Sequence, residues 1–288
     1  MRPKARVLCV GNLTAGGTGK TPVAIALGLM LMARGKRIVF LTRGYGGRLG
    51  GAIVVDPQRH GAAEVGDEAL LLAAHAPTIV ARNRGDGARL ADSLSADVIL
   101  MDDGFQNFQI AKDLSLVVVD AAAGFGNGRL IPAGPLRESV ARGLSRADAI
   151  VLMGDGTPQL PPFAGAILHA QLSPNTLEAL RGRSILAFAG IGRPEKFFDT
   201  LRAIGGIVIA AQAFPDHHRF TPTEISTLKD AADAEQAMLV TTAKDYVRIG
   251  TALRQNILPV PVQAVFSDEH AVTVLLDRLT QGLNVQSQ

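Results

Sequence analysis

Residues 7–22 read VLCVGNLTAGGTGKTP, and the chemistry of these residue types is phosphate binding. An apolar run gives way to glycines, and Lys20–Thr21 follow at the start of a helical pattern. Gly16, Gly17 and Gly19 let the backbone curl so that its N–H groups face phosphate oxygens. A helix N-terminus adds partial positive charge at the same place. Lys20 can reach the β and γ phosphates of ATP from there, and the Thr21 hydroxyl can bind Mg2+. Pro22 falls in the first helical turn, where a missing N–H does no harm. The standard phosphate loop has a glycine six places before the lysine. That place holds Thr14 here, so the loop Thr14, Ala15, Gly16, Gly17, Thr18, Gly19, Lys20, Thr21 is a near match.

Acidic residues supply the second half of such a site. In ADVILMDDGFQ (96–106), four apolar residues precede Asp102 and Asp103. An aspartate at the C-terminal end of a strand lies where open α/β sheets bind ligands, and it can hold Mg2+ directly or through water. Adjacent acids point to opposite sides of an extended chain, which suits two roles. EVGDEALLLA places Asp67 and Glu68 at a helix start, a position acids also favour for electrostatic reasons alone. FPDHHRF (214–220) reads by itself as a polar turn. Phosphorylation of a hydroxyl needs a base near the acceptor, and Asp or His can serve. The run GFGNGRLIPAGPLRES (124–139) carries Arg129, Arg137 and Glu138 in a rigid, charged loop, which reads as a binding wall.

These groups require a scaffold of alternating strands and helices. Strands are predicted near 6–10, 37–42, 52–55, 77–81, 97–101, 115–119 and 148–153, with helices near 20–34, 67–75, 84–94 and 139–145. The segment DGTPQLPPFAG then breaks the pattern and reads as a linker. A second series follows, with strands near 184–189, 206–211, 237–241 and 260–265 and helices near 194–203, 222–235 and 269–280. Thr221, Pro222 and Glu224 form a helix-start signature. The expected fold class is α/β: a P-loop NTPase core with a mainly parallel sheet (1–155), a linker (156–180) and a smaller C-terminal α/β lobe (181–288).

Composition agrees. Of 288 residues, 47% are hydrophobic and only 5% aromatic, with no Trp, so Ala, Val, Leu and Ile must build the core. The net charge of +3 comes from arginines in glycine-rich loops, where a planar fork suits anionic ligands. A nucleic-acid partner would call for a denser basic face and stacking aromatics, and none is expected. Cys9 is the one cysteine, so no internal disulfide forms, and it reads as a small core hydrophobe in a reducing compartment. No signal peptide is evident, and no apolar run reaches the roughly 18 residues of a transmembrane helix.

The ordered set VGNLTAGGTGKTP, LTRGYGG, GDEALLLA, DDGFQ, GNGRLIPAGPLRE, FAGIGRPEKFF, FPDHHRF and TTAKDYVR resembles the tetraacyldisaccharide 4′-kinase family of Gram-negative bacteria. The resemblance runs from about residue 6 to about residue 250, and Thr14 is itself a mark of that family's loop. It implies transfer of the γ-phosphate of ATP to the 4′-hydroxyl of a tetraacylated glucosamine disaccharide 1-phosphate, giving lipid IVA. Lys20 and Thr21 would hold phosphates and Mg2+. Asp102 and Asp103 would serve Mg2+–ATP and phosphoryl transfer. Asp67 would be the general base and His217 its dyad partner. Arg137 and Glu138 match the family's active-site PLRE segment, with Glu138 joining the Mg2+ ligands. Arg43, Tyr45 and Arg84 would lie near the substrate headgroup.

Two departures stand out: Asn107 where the family usually has His, and Ala243 where Glu is usual. Family members commonly carry an N-terminal hydrophobic helix, whereas this chain starts almost at its first strand. Peripheral attachment to the cytoplasmic face of the inner membrane, as a monomer, is the expectation, helped by basic residues near an anionic surface. Two other readings are open from the phosphate loop alone. One is an ATPase switch acting through partner binding, although positions 14–19 lack the second lysine usual there. The other is a kinase for a different small molecule.

Overall fold

The computed structural model describes residues 1–174 and 177–282. The aliphatic runs become strands, and the helical patterns between them become the layers that cover the sheet. The first part contains β1 (Arg6–Gly11), α1 (Lys20–Ala33), β2 (Ile38–Thr42), β3 (Ala52–Val54), α2 (Ala62–Val65) and α3 (Asp67–Ala73). It continues with β4 (Thr78–Ala81), α4 (Arg84–Ser93), β5 (Val98–Asp102), β6 (Leu114–Asp120), α5 (Val140–Leu144) and β7 (Ala149–Met153). Then come β8 (Ala166–Pro174), α6 (Leu177–Leu180), β9 (Ser184–Ala189), α7 (Pro194–Ala203), β10 (Ile207–Ala213) and α8 (Pro222–Ala234). The chain closes with β11 (Met238–Thr242), α9 (Ala243–Tyr246), β12 (Ile257–Val260), β13 (Val262–Phe266) and α10 (Glu269–Thr280).

Nine strands form the large sheet in the order β13-β8-β7-β6-β1-β5-β2-β4-β3, and four form the small one, β10-β9-β11-β12. Pairing is parallel throughout the small sheet and everywhere in the large one except at its two ends, β3 on β4 and β13 on β8. β1 sits between β5 and β6, so the chain leaves it toward opposite sides of the sheet. Such a switch point opens a crevice at the strands' C-terminal ends. Val10 of β1 is in register with Asp102 of β5, which brings the phosphate loop and the acidic pair side by side.

Helix α1 fixes the loop to the sheet. Val23, Ala24, Leu27 and Leu31 recur at helical spacing and are buried against β1, β2 and β5 residues. Each fully buried leucine contributes about 1.5–3 kcal/mol. Gly28 lies where α1 comes nearest β2: a Cβ there would stand 2.7 Å from Phe40 and 2.8 Å from Ile38. Gly28→Val is therefore expected to lower stability by about 1–3 kcal/mol through overpacking, read as a lower urea midpoint. An unchanged midpoint would contradict this packing.

Two expectations about domain boundaries are corrected. Residues 166–174, expected within the linker 156–180, form β8 of the large sheet. Only alternate residues of β8, Leu168 and Ala170, are buried, so the strand lacks the long aliphatic run that marks its neighbours. The single strand expected near 260–265 is two strands broken at Pro261, and the second leaves the small lobe. β13 pairs with β8, and Val272, Leu276 and Leu279 of α10 pack into the main core. The lobe expected to run 181–288 thus ends near residue 260, and the β8–β13 ribbon joins the two parts. Helical periodicity shows that 269–280 has an apolar face but not which sheet that face meets. The start of α8 forms as expected: the Thr221 hydroxyl accepts from Glu224 N at 3.2 Å, and the Glu224 carboxylate accepts from Thr221 N at 2.7 Å.

Candidate active site

The C-terminal ends of the two parallel sheets face one another, and the sequence's chemical residues collect between them. Residues 12–19 link β1 to α1. Gly19 has φ 90° and ψ 20° at the N-cap of α1, a left-handed conformation that a side chain would strain. Asn12 Nδ2 spans the loop, donating to Thr18 Oγ1 at 3.3 Å and to Gly16 O at 3.5 Å. Lys20 is buried along its length, and its Nζ stands 3.9 Å from Asp103 Oδ1. Thr21 Oγ1 donates to Asp102 Oδ2 at 2.8 Å.

Asp102 is wholly buried and its Oδ1 has no hydrogen-bond partner. Burial pushes its carboxyl up to about 7; the charge of Glu68 adds to this, and the Thr21 hydroxyl opposes it. An orphaned carboxylate oxygen beside a threonine hydroxyl is a hard-oxygen donor set. Mg2+ binds in this way, through one or two carboxylates, phosphate oxygens and water. Thr21 and Asp102 fit that ion, and no cluster of three or more His, Cys, Asp or Glu suited to a metal occurs among the described residues.

The Asp102 carboxyl gives a pH prediction. Unfolded, an aspartate titrates near 3.9. Between about pH 4 and pH 7 the folded chain holds a proton that the unfolded chain does not, so this group's contribution to stability falls as pH rises. Urea titrations in chelator at pH 5 and pH 7 are expected to show a smaller loss for Asp102→Asn than for the unaltered chain. An equal loss in both would contradict the assignment.

The loop expected to be a binding wall lies directly on the phosphate loop. Ala15 N donates to Pro135 O at 2.8 Å and Arg137 N to Leu13 O at 2.7 Å. Arg137 Nη1 donates to Asp103 Oδ1 at 2.9 Å. Asp103 has φ 52°, a left-handed backbone held in part by that contact. Glu138, expected among the Mg2+ ligands, is engaged by protein partners. Arg146 grips both its oxygens at 2.9 Å, and Gln106 Nε2 donates to Oε1 at 3.1 Å. These contacts brace the wall, with Arg146 lying over the Phe105 ring at 4.8 Å.

Across the cleft, Asp67 is the first residue of α3, set by Gly66 at φ 87°. A Cβ at Gly66 would come within 2.5 Å of Tyr45 O, so only glycine lets the Tyr45 loop pass this close. Asp67 is 6% exposed. Its Oδ1 accepts from Glu68 N at 2.9 Å, and its Oδ2 accepts from both Nε (2.8 Å) and Nη2 of Arg248. Burial raises the Asp67 carboxyl, but the charges of Arg248, Lys244 and His217, with the Arg248 hydrogen bond, outweigh it and hold the group below the usual range. His217 Nδ1 stands 3.4 Å from Asp67 Oδ2 and 3.1 Å from Arg248 Nη2. The first spacing is long for a hydrogen bond. The expected Asp67–His217 pair is therefore joined through Arg248.

Tyr45 packs edge-on against His217, with ring centroids 6.0 Å apart. His217 has φ 60° and its N–H donates to Gly190 O at 3.1 Å. Its neighbour His218 is structural, bonded to Glu224 at 3.1 Å and stacked on Phe214. Arg43 is exposed, whereas Arg84 is 3% exposed with its Nε unpartnered. Burial, together with the charge of Arg43, lowers the Arg84 guanidinium to about 10. Cys9 is wholly buried, and burial pushes its thiol up to about 12, as befits a packing residue. Asn12, Glu68, Gln106, Arg146, Asp245 and Arg248 also shape the site, and none of them stands out in the sequence by type or spacing. TTAKDYVR contains the last two, but nothing in their local spacing points across a lobe boundary.

A phosphate loop at the switch point of a parallel sheet, with Asp102 on Thr21 and a buried Asp67 opposite, defines a P-loop kinase. The profile of the family described as tetraacyldisaccharide-1-P 4′-kinase matches residues 1–281. A tetraacyldisaccharide 4′-kinase from Dinoroseobacter shibae is 52% identical over 96% of this chain and 85% of its own length. One from Rhodospirillum centenum is 52% identical over 98% of this chain and 85% of its own. A crystal structure of LpxK from Aquifex aeolicus, an "apo" form in complex with ATP, matches with a TM-score of 0.77 at 27% identity. The match covers 97% of this chain and 90% of that one. The chain belongs to the tetraacyldisaccharide-1-P 4′-kinase family and is an ATP-dependent kinase.

Proposed function

We propose that this chain transfers the γ-phosphate of ATP to the 4′-hydroxyl of a tetraacyldisaccharide 1-phosphate, a step of lipid A biosynthesis. The observation that carries the reading is the placement of Asp67 across the cleft from the nucleotide corner made by Lys20, Thr21 and Asp102. Loop residues 14–19 present backbone N–H groups to the phosphates, and Lys20 places its ammonium on the β and γ phosphates. Thr21 and Asp102 would hold Mg2+, with Asp103 beside them, and the ion would supply positive charge to offset that of the phosphate oxygens. Asp67 accepts the proton of the 4′-hydroxyl as the oxygen attacks the γ-phosphorus and the bond to the β,γ-bridging oxygen breaks, releasing ADP; His217 tunes Asp67. Arg137 holds Asp103 in place and faces the transferred group.

Arg43, Tyr45 and Arg84 recognise the phosphorylated disaccharide headgroup. In support, Arg43 and Arg84 are close enough for one guanidinium to lower the other, and neither makes an ion pair with a carboxylate among the described residues. No helix of the described residues is long and apolar enough to cross a membrane. An acceptor with four acyl chains resides in a bilayer, so the enzyme meets it peripherally, at the cytoplasmic face of the inner membrane. The test compares acceptors: tetraacyldisaccharide 1-phosphate, its deacylated form, and water. Preferred transfer to the acylated lipid supports the reading. Hydrolysis alone would favour an ATPase switch, and better transfer to a soluble sugar would favour another kinase.

A further inference from the structure

Arg248 is the group through which the two lobes meet inside the site. Its Nη1 donates to Asp245 Oδ1 at 2.9 Å and to Gly190 O at 2.7 Å, both in the small lobe. Asp245 is itself fixed, accepting from Gly190 N at 3.0 Å and from Thr242 Oγ1 at 2.7 Å. The remaining donors, Nε and Nη2, both go to Asp67 Oδ2 in the large lobe, and Nη2 also lies against His217 Nδ1. The side chains of Arg248 and Asp67 are each 6% exposed. The next residue along, Val247, packs into a large-lobe cluster with Val55, Val65, Ala69, Leu70 and Val80. A second pair also crosses between the lobes, Arg193 to Asp120 at 2.8 Å, but Arg193 is 55% exposed and solvent screens it.

We propose that Arg248 is a positioning residue of phosphoryl transfer, carrying closure of the small lobe to the Asp67 carboxylate and the His217 ring as one unit. The proposal rests on the reading of Asp67 as the base. A guanidinium fork is rigid and planar, so the geometry of its Asp245 side dictates the geometry of its Asp67 side. His217 Nδ1 lies 3.1 Å from Arg248 Nη2 and accepts from the guanidinium when the ring is neutral, with its proton then on Nε2. With the lobes together, Asp67 is aimed and charged. With the lobes apart, Asp67 loses both Arg248 and His217 at once. Lobe closure and base placement are therefore one event.

The charged and titratable groups facing Asp67 are Glu68 on its own helix, Lys244 of α9, Arg248 just beyond it, and His217 from the loop after β10; Asp245 pairs with Arg248 and Asp216 stands 3.9 Å from His217. Of these, Arg248 alone bonds to Asp67 Oδ2 within 3 Å.

The experiment measures kcat, KM for ATP and the pH profile of kcat/KM for the full chain, Arg248→Lys, Arg248→Met and Asp67→Asn. Arg248→Met is expected to lower kcat about tenfold to a hundredfold, the scale of a misplaced reacting group, with KM for ATP nearly unchanged. The acid limb of its profile should move to higher pH, because Asp67 loses its cation. Arg248→Lys keeps the charge but not the fork. It should hold the acid limb in place and recover part of kcat. A fall that is equal at every pH and is not relieved by lysine would make Arg248 merely structural and overturn the proposal. If Arg248→Met does not fold, Arg248→Lys decides: a fall in kcat with KM for ATP and the melting temperature unchanged supports the proposal, and kcat at the unaltered level, or a fall in kcat together with a raised KM or a lowered melting temperature, overturns it. Full activity in Asp67→Asn would instead remove the base reading, whatever the Arg248 variants do.

Discussion

Asp67→Asn is expected to lower kcat about 10²–10⁴-fold while leaving ATP binding nearly unchanged. The amide keeps the size of the carboxylate and can still accept from Arg248, so the lobe contact and the fold should persist. What it loses is the ability to take a proton from the acceptor hydroxyl. Asp67 lies on α3, apart from the phosphate loop, so nucleotide affinity should not depend on it. Steady-state kinetics with the lipid acceptor, paired with calorimetric titration of ATP, separate the two effects. Collapse of ATP affinity together with kcat would mean that Asp67 serves the nucleotide rather than the hydroxyl.

Lys20→Ala carries the second large effect. Lys20 is 9% exposed and held between the phosphate loop and Asp103, so its ammonium is preorganised in a water-poor corner. Removing one such charge-stabilising group costs about 10²–10³-fold in kcat. ATP affinity should fall as well, because the β and γ phosphates lose their cation in the ground state too. Thermal melting checks that the truncated helix start still folds. A loss below about tenfold in kcat would mean that another cation does this work, and Arg137, on the same Asp103, would be the next to test.

The large lobe is legible in the sequence because strands buried on both faces read as unbroken aliphatic runs and α1 keeps a clean helical spacing. The phosphate loop and Asp102 are legible for the same reason: their positions follow from a strand end and a helix start. The weak spots share a different cause. β8 is buried on one face only, and α10 packs on a sheet whose other strands lie far back in the chain. Neither fact is local. Arg248 shows this most sharply, since its partner Asp67 is 181 positions away and the contact crosses from one lobe to the other. The strained backbones of Asp103 and His217 also carry no signal in residue type, because each depends on a distant support.

Phosphorus NMR of the product formed from tetraacyldisaccharide 1-phosphate, ATP and Mg2+ shows whether this chain phosphorylates the 4′-hydroxyl of an acylated disaccharide through Asp67. A second phosphomonoester resonance, coupled to the 4′ proton, is expected to grow with the unaltered chain and to stay absent with Asp67→Asn over the same time. A new resonance at any other carbon, or inorganic phosphate alone, would contradict it.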